Sequence, residues 1–361
     1  MRLELACETC CVTRRRTDPG WWPFAASLFV AMLASRAASG VRGPDEAPAG
    51  VEWIVATLLI ATVTWILMLV PTVMARAWVD AVSSAEVGRR ARVLWARREA
   101  GGVASGAVWF AISAVVVIGS PRVTTFWWPL GAVGLIVLWV TRSAVLPFEP
   151  SVRIGHHPAP ADIDAAVRSL ADEARVTVRN VWVAENTTGL QRSVASAGGF
   201  GRSGTIRLSS RLAASDPVLV RGVSAHELGH LASPVWRRAI VPAALQSVIV
   251  VGAWAAVAST SGVTFAGSAY SVPWFALVTT FVMTLFGPLF ARLQRSEELR
   301  ADAYAGRLLA DPTLYAQVLT VIDAESDDAG IYGQVSFGAS HPPTQERIAA
   351  LGVRADLIDS D

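Results

Sequence analysis

Long apolar runs separated by arginine-bearing connections set the rhythm of this chain. Four of them precede Pro147: Trp21 to about Ala38, Trp53 to about Ala75, Val103 to about Ser120 and Phe126 to about Leu146. A helix crosses the roughly 30 Å hydrocarbon layer of a bilayer with about 20 residues, so these lengths predict transmembrane helices. The first run is the shortest and carries Pro23 and Arg36. Tryptophans stand at many of the ends, including Trp21, Trp22, Trp53, Trp78, Trp127 and Trp128, where an interfacial belt is expected. Two later runs, Ala239 to about Ala258 and Val272 to about Phe290, are joined by an uncharged connection and predict a membrane hairpin over 239–290.

Between these blocks the periodicity changes. From Pro147 to Trp236 the spacing is that of a small water-facing domain: Ile163, Val167, Leu170 and Ala174 recur at helical intervals, Val176 to Val183 alternates like a strand, and Thr205 to Leu208 is strand-like within a glycine-rich stretch. His156 and His157 are expected in a loop before Pro158 and bind nothing. Ser215-Asp216-Pro217 offers an N-cap followed by proline at a first helical turn, and apolar residues then recur at Leu219, Val220 and Val223 until Pro234 stops the pattern.

Composition agrees with the membrane reading, because hydrophobic residues make up 53% of the chain and charged residues 17%, with a mean hydropathy of +0.43. A net charge of +2 is too small to suggest a nucleic-acid partner. There is no lysine, so arginine alone marks the side of the membrane. Arg76, Arg89, Arg90, Arg92, Arg97 and Arg98 lie between the second and third runs, whereas the other short connections are poor in arginine, so this loop is expected in the cytoplasm. The third and fourth runs return the chain to that side, where the following domain is expected, and Arg237 and Arg238 before the hairpin with Arg292, Arg295 and Arg300 after it make the hairpin leave and re-enter there. The N-terminal tail carries Cys7, Cys10 and Cys11 and then three arginines; no second cysteine pair follows to complete a four-ligand metal site, so a reduced tail is expected.

The chemistry is concentrated in one word, HELGH, from His226 to His230. On a helix the two imidazoles, four residues apart, leave the same face and can share a metal ion. Zn²⁺ held by two histidines, a third protein ligand and one open position lowers the pKa of its bound water, and Glu227 is the carboxylate that can take the proton. With five histidines in 361 residues, such a word has a chance prior of about one in a few hundred. Gly229 in mid-helix costs about 1 kcal/mol relative to alanine, which predicts close approach of a ligand or strand there.

The third ligand is sought where the hairpin re-enters, in Ser296-Glu-Glu-Leu-Arg-Ala-Asp-Ala-Tyr-Ala305, a predicted helix ending at Asp311-Pro312. Glu298 and Asp302 share a face, so one can ligate the metal while the other holds a ligating histidine through its second ring nitrogen. Glu297 competes with Glu298 on sequence alone.

SAHELGH, a paired membrane run, S-E-E-L-R-A-D-A-Y-A, and H-P-P-T-Q-E-R-I at His341 to Ile348, in this order, resemble the HtpX and CAAX prenyl protease family of integral membrane zinc metallopeptidases over roughly residues 150–350. The resemblance implies one Zn²⁺ per chain with Glu298 as third ligand, and His341 as an active-site histidine that positions substrate or stabilises the oxyanion, supported by Arg347. Ser193-Val-Ala-Ser196 stands where such enzymes commonly carry an Asn-Ala-Phe-like word on the strand that borders the cleft.

The expected organisation is a cytoplasmic tail at 1–20, four transmembrane helices at 21–148 with an arginine-rich loop at 76–102, and a zinc metallopeptidase domain at 149–361 interrupted by the hairpin. The fold class is an α-helical multi-spanning membrane protein with a zincin-like α+β catalytic domain. His226, His230 and Glu298 are the expected metal ligands, Glu227, His341 and Arg347 the catalytic residues, and Asp302 the orienting partner. Protein or peptide substrates and the lipid bilayer are the expected partners. A BlaR-type sensor peptidase, a CAAX-processing protease and a non-enzymatic scaffold with structural zinc are the alternatives.

Overall fold

The computed structural model describes residues 50–83, 89–123, 127–145, 155–185, 194–201, 204–262, 266–327 and 342–352. The cysteine-bearing tail, the run from Trp21 to Ala38 and His341 lie outside these residues.

Three helices, α1 (Gly50–Ser83), α2 (Arg89–Val123) and α3 (Trp127–Val145), precede the water-facing domain, and α6 (Val241–Ser261) follows its first part. Within them the stretches Val51–Leu69, Ala100–Pro121, Trp127–Val145 and Trp236–Ser261 are each long and apolar enough to cross a membrane. The arginine-rich segment expected as a loop at 76–102 is largely helical, since α1 continues to Ser83 and α2 begins at Arg89. Arginine, alanine and leucine are good helix formers, and nothing between Arg89 and Ala100 ends a helix before it enters the apolar stretch.

Glycines let the bundle close. The indole of Trp53 lies where a Cβ on Gly119 would meet it at 2.8 Å, and that of Trp65 where a Cβ on Gly106 would meet it at 2.7 Å. Trp53 therefore faces the bundle at 6% exposure, near the start of its apolar stretch, and donates its Nε1–H to Gly267 O at 3.0 Å. Trp127 is buried likewise, whereas Trp128 and Trp236 are exposed.

The run Val272–Phe290 does not form one straight span. It divides into α7 (Val272–Leu285) and the start of α8 (Gly287–Leu308), and the two axes bend by 57°. Pro288 has no N–H to offer the carbonyl four residues before it, so the first helix stops at Phe286 and a new one starts in another direction. That second helix carries Glu297, Glu298 and Asp302.

The water-facing part is a four-stranded sheet covered by helices. Its strands are β1 (His156–Pro158), β2 (Asn180–Ala184), β3 (Ala195–Gly198) and β4 (Thr205–Ser209), in the order β1-β2-β4-β3. Only the β2–β4 pair is parallel, with Val181 opposite Ile206, and β3 stands at one edge, antiparallel to β4. His156 and His157, expected in a loop, pair with Ala184 and Val183 instead. Ile163, Val167 and Leu170 of α4 (Ala161–Glu173), Ile206 and Leu208 of the sheet, and Leu228 of α5 (Pro217–Ala232) meet in one core. Helices α9 (Pro312–Asp327) and α10 (Thr344–Ala350) complete it with Tyr315, Val318 and Ile348.

Helix α5 starts as its sequence dictates: Asp216 caps it by accepting from Val218 N at 2.7 Å, and Pro217 fills the first turn. From Gly222 to Gly229 every residue is buried, so the helix shows no single apolar stripe and runs through the middle of the domain. The neighbour that Gly229 admits is helix α8, where the sequence suggested a ligand or strand. A Cβ on Gly229 would meet Ala301 Cα at 2.9 Å and Ala301 O at 3.0 Å.

Candidate metal centre

That close approach of α5 and α8 brings together three groups from two distant parts of the chain. His226 and His230 leave one face of α5, and Glu298 comes from the facing side of α8. The two Nε2 atoms are 3.1 Å apart, His226 Nε2 is 3.4 Å from Glu298 Oε2, and His230 Nε2 is 3.5 Å from Glu298 Oε1. Donors bound to Zn²⁺ at about 2.0–2.1 Å with tetrahedral angles are separated by roughly 3.3 Å, so the donor set and its spacing fit a zinc ion. Among the described residues this is the one His/Cys/Asp/Glu group close enough to hold a metal.

Behind the donors lies a polar network that fixes them. Asp302, fully buried one turn after Glu298, lies 2.9 Å from His226 Nδ1. It also accepts from Tyr315 Oη at 2.7 Å and from Arg347 twice, Nε to Oδ2 at 2.8 Å and Nη2 to Oδ1 at 2.6 Å. A carboxylate with these donors around it keeps the proton of His226 on Nδ1 and leaves Nε2 to face the other ligands. Arg347, approached from sequence as support for His341, is placed on Asp302. Tyr315 was missed altogether; its only signal is a phenol in the first turn of α9, between Leu314 and Ala316.

The electrostatics of the two histidines diverge. Burial alone would lower His226, but its hydrogen bonds to Asp302 and Glu298, with the charge of Glu227, raise it to about 9. Burial and the adjacent His226 push His230 down to about 4. Of the two, His226 is the one that favours the protonated form. Burial and the Asp302 charge raise Tyr315 well above the usual phenol range, so it acts only as a neutral donor. Glu227, buried beside His226, lies at 6% exposure.

A model of peptidase family M48 matches residues 159–355, more than half of the 361-residue chain. The chain belongs to peptidase family M48. Together with its apolar helices this makes it a membrane metallopeptidase, as the resemblance carried by SAHELGH and the two later motifs implies. No curated protein matches it. The crystal structure of S. mikatae Ste24p matches with a TM-score of 0.62 over 92% of this chain and 81% of that one, at 16% identity. At that identity the likeness is one of fold: a multi-spanning α-helical protein carrying a zincin-like α+β domain.

In this M48 chain the glutamate beside Glu298 has a different environment. Glu297 accepts from Ser233 Oγ, the C-cap of α5, at 2.9 Å and pairs with Arg300 one turn on. It joins α8 to the end of the helix that carries His226 and His230.

Proposed function

We propose that this M48 chain is a zinc-dependent endopeptidase that hydrolyses peptide bonds of membrane or misfolded proteins. The single observation that carries the reading is the convergence of His226, His230 and Glu298 at donor spacings of 3.1–3.5 Å. Zn²⁺ bound there supplies a Lewis acid that polarises a carbonyl and activates a water. Glu227 would serve as general base towards the attacking water and then as general acid towards the leaving amine. Asp302, held by Arg347 and Tyr315, keeps the imidazole of His226 in the tautomer that ligation needs. His341, which precedes α10, is assigned to the substrate side of the cleft on the strength of the family resemblance.

An extended peptide is the form of substrate that the sheet favours. Strand β3 lies at the edge of the sheet and beside α5, so a peptide can add to it as a further strand and pass the metal site. The distribution of arginine supports a cytoplasmic location for this domain. Cysteine labelling in sealed vesicles, with the three native cysteines replaced, is expected to mark a cysteine at Ser210 from the cytoplasmic side and one at Ser261 from the other; reversed labelling overturns the orientation.

Metal content and cleavage measured together test the mechanism. Glu227→Gln is expected to keep about one zinc per chain while losing several kcal/mol of barrier reduction in casein or self-cleavage assays. His226→Ala is expected to lose both. A fully active Gln variant sinks the assignment, and zinc content with no cleavage by the wild type favours the scaffold.

A further inference from the structure

Arg238 occupies a position that the cleavage chemistry does not use. It lies in a π-helical turn, Trp236–Ile240, at the start of the apolar stretch Trp236–Ser261. In that wide turn consecutive arginines take different directions. Arg237 lies over the Trp236 ring at 5.0 Å, whereas Arg238 is half-buried and reaches back into the domain.

The guanidinium of Arg238 touches both walls of the cleft. Its Nη1 donates to the backbone oxygen of the metal-site residue His230 at 2.6 Å, an oxygen near the C-terminus of α5 where a cation is favoured. Its Nη2 donates to the oxygen of Gly199, the residue after β3. The plane of the group lies over the Phe200 ring at 4.8 Å, and the carboxylate of Glu297 attracts it from α8. Gly199 has a φ of 83°, so the chain turns sharply away from the strand at the point where it is held.

We infer that Arg238 is a positioning residue that fixes the gap between the metal-bearing helix and the end of the edge strand, and so governs how tightly long extended peptides bind. One planar group bridging two backbone carbonyls does this in a way lysine does not, because the two N–H donors are rigidly paired. The base of a membrane span thereby sets the width of the substrate cleft. This inference rests on the peptidase reading and deepens it. A peptide long enough to lie along β3 to Gly199 depends on the clamp. A peptide that covers only the residues next to the metal does not.

The test uses the full-length zinc-loaded protein in detergent with two fluorogenic peptides, of ten and of four residues. Arg238→Met is expected to raise KM for the longer peptide by roughly tenfold with kcat changed by less than about threefold, the signature of lost ground-state binding. Zinc stays at about one per chain, KM for the shorter peptide moves less than about threefold, and Arg238→Lys falls between. An unchanged KM for the longer peptide overturns the inference, as does an equal loss on both peptides in step with loss of zinc. If Arg238→Met does not fold, Phe200→Leu, which removes the ring under the guanidinium, carries the same test: a rise of about threefold or more confined to the longer peptide supports it, and no rise overturns it. Wild-type protein that cleaves neither peptide overturns the peptidase reading itself, and this inference with it.

Discussion

The Arg347 guanidinium grips the Asp302 carboxylate with two hydrogen bonds, Nε to Oδ2 at 2.8 Å and Nη2 to Oδ1 at 2.6 Å, across 45 positions of sequence. Burial alone would lower the pKa of Arg347, but these bonds raise it, so the guanidinium keeps its charge in the pair. Removing the arginine leaves a fully buried carboxylate short of two donors. Arg347→Met is therefore expected to weaken zinc binding by roughly ten- to a hundredfold and to cost about 3–5 kcal/mol of stability. Competitive chelator titration and denaturant unfolding read the two effects separately; zinc affinity equal to wild type shows that Asp302 needs no such support.

The adjacent glutamates are expected to separate cleanly. Glu298→Ala removes a donor and should abolish stoichiometric zinc, and Asp302→Ala should weaken zinc by about ten- to a hundredfold. Glu297→Ala loses the bond to Ser233 and the ion pair with Arg300, about 1 kcal/mol of stability, with zinc retained. Zinc titration in which Glu297→Ala loses the metal and Glu298→Ala keeps it contradicts the register of α8.

Gly229→Ala tests the helix contact. The added methyl would stand 2.9 Å from Ala301 Cα, backbone that has nowhere to retreat, so a loss of about 1–3 kcal/mol is expected. Since the same contact sets the distance from the histidines to Glu298, zinc affinity should fall with it. Stability unchanged in thermal unfolding rules the contact out as a determinant.

The histidine pair predicts a pH signature for the metal-free protein. His226 is raised from 6.5 to about 9, so its contribution to stability is complete below about 6.5 and lost as pH rises towards 9. His230 is lowered from 6.5 to about 4, so it penalises folding as pH falls from about 6.5 towards 4. The two together place a maximum near pH 6.5. Metal binding must displace the His226 proton, so calorimetry in buffers of different ionisation enthalpy at pH 7 should detect about one proton released per zinc. Zero release contradicts the assignment of the proton.

Much of the centre can be read from spacing, and the reasons for the rest are physical. The HELGH word and the Asp216-Pro217 start are local features that act through helix geometry, and the structure places both on α5. The strand expected from Val176 begins only at Asn180. Arg175 sits at a φ of 55°, Val176 N returns to Ala171 O, and Arg168 takes the carbonyls of Val178 and Arg179, so the alternating side chains there belong to a helix exit. The break at Pro288 was present in the sequence but lay inside an apolar run whose length argued for a single span. Tyr315 and Arg238 could not be found by pattern, because each acts on a backbone or side chain made near only by the tertiary fold.

Helix α5 has one further consequence, through the burial of every residue between Gly222 and Gly229. A methyl at Gly222 would strike Val318 at 2.8 Å, as one at Gly229 strikes Ala301, so even the smallest side chain is excluded at both ends of the buried stretch. Such a helix has almost no position that can be enlarged without displacing a neighbour. A variant designed to accept other peptides would have to be altered outside this stretch, in the edge strand and the segments around it.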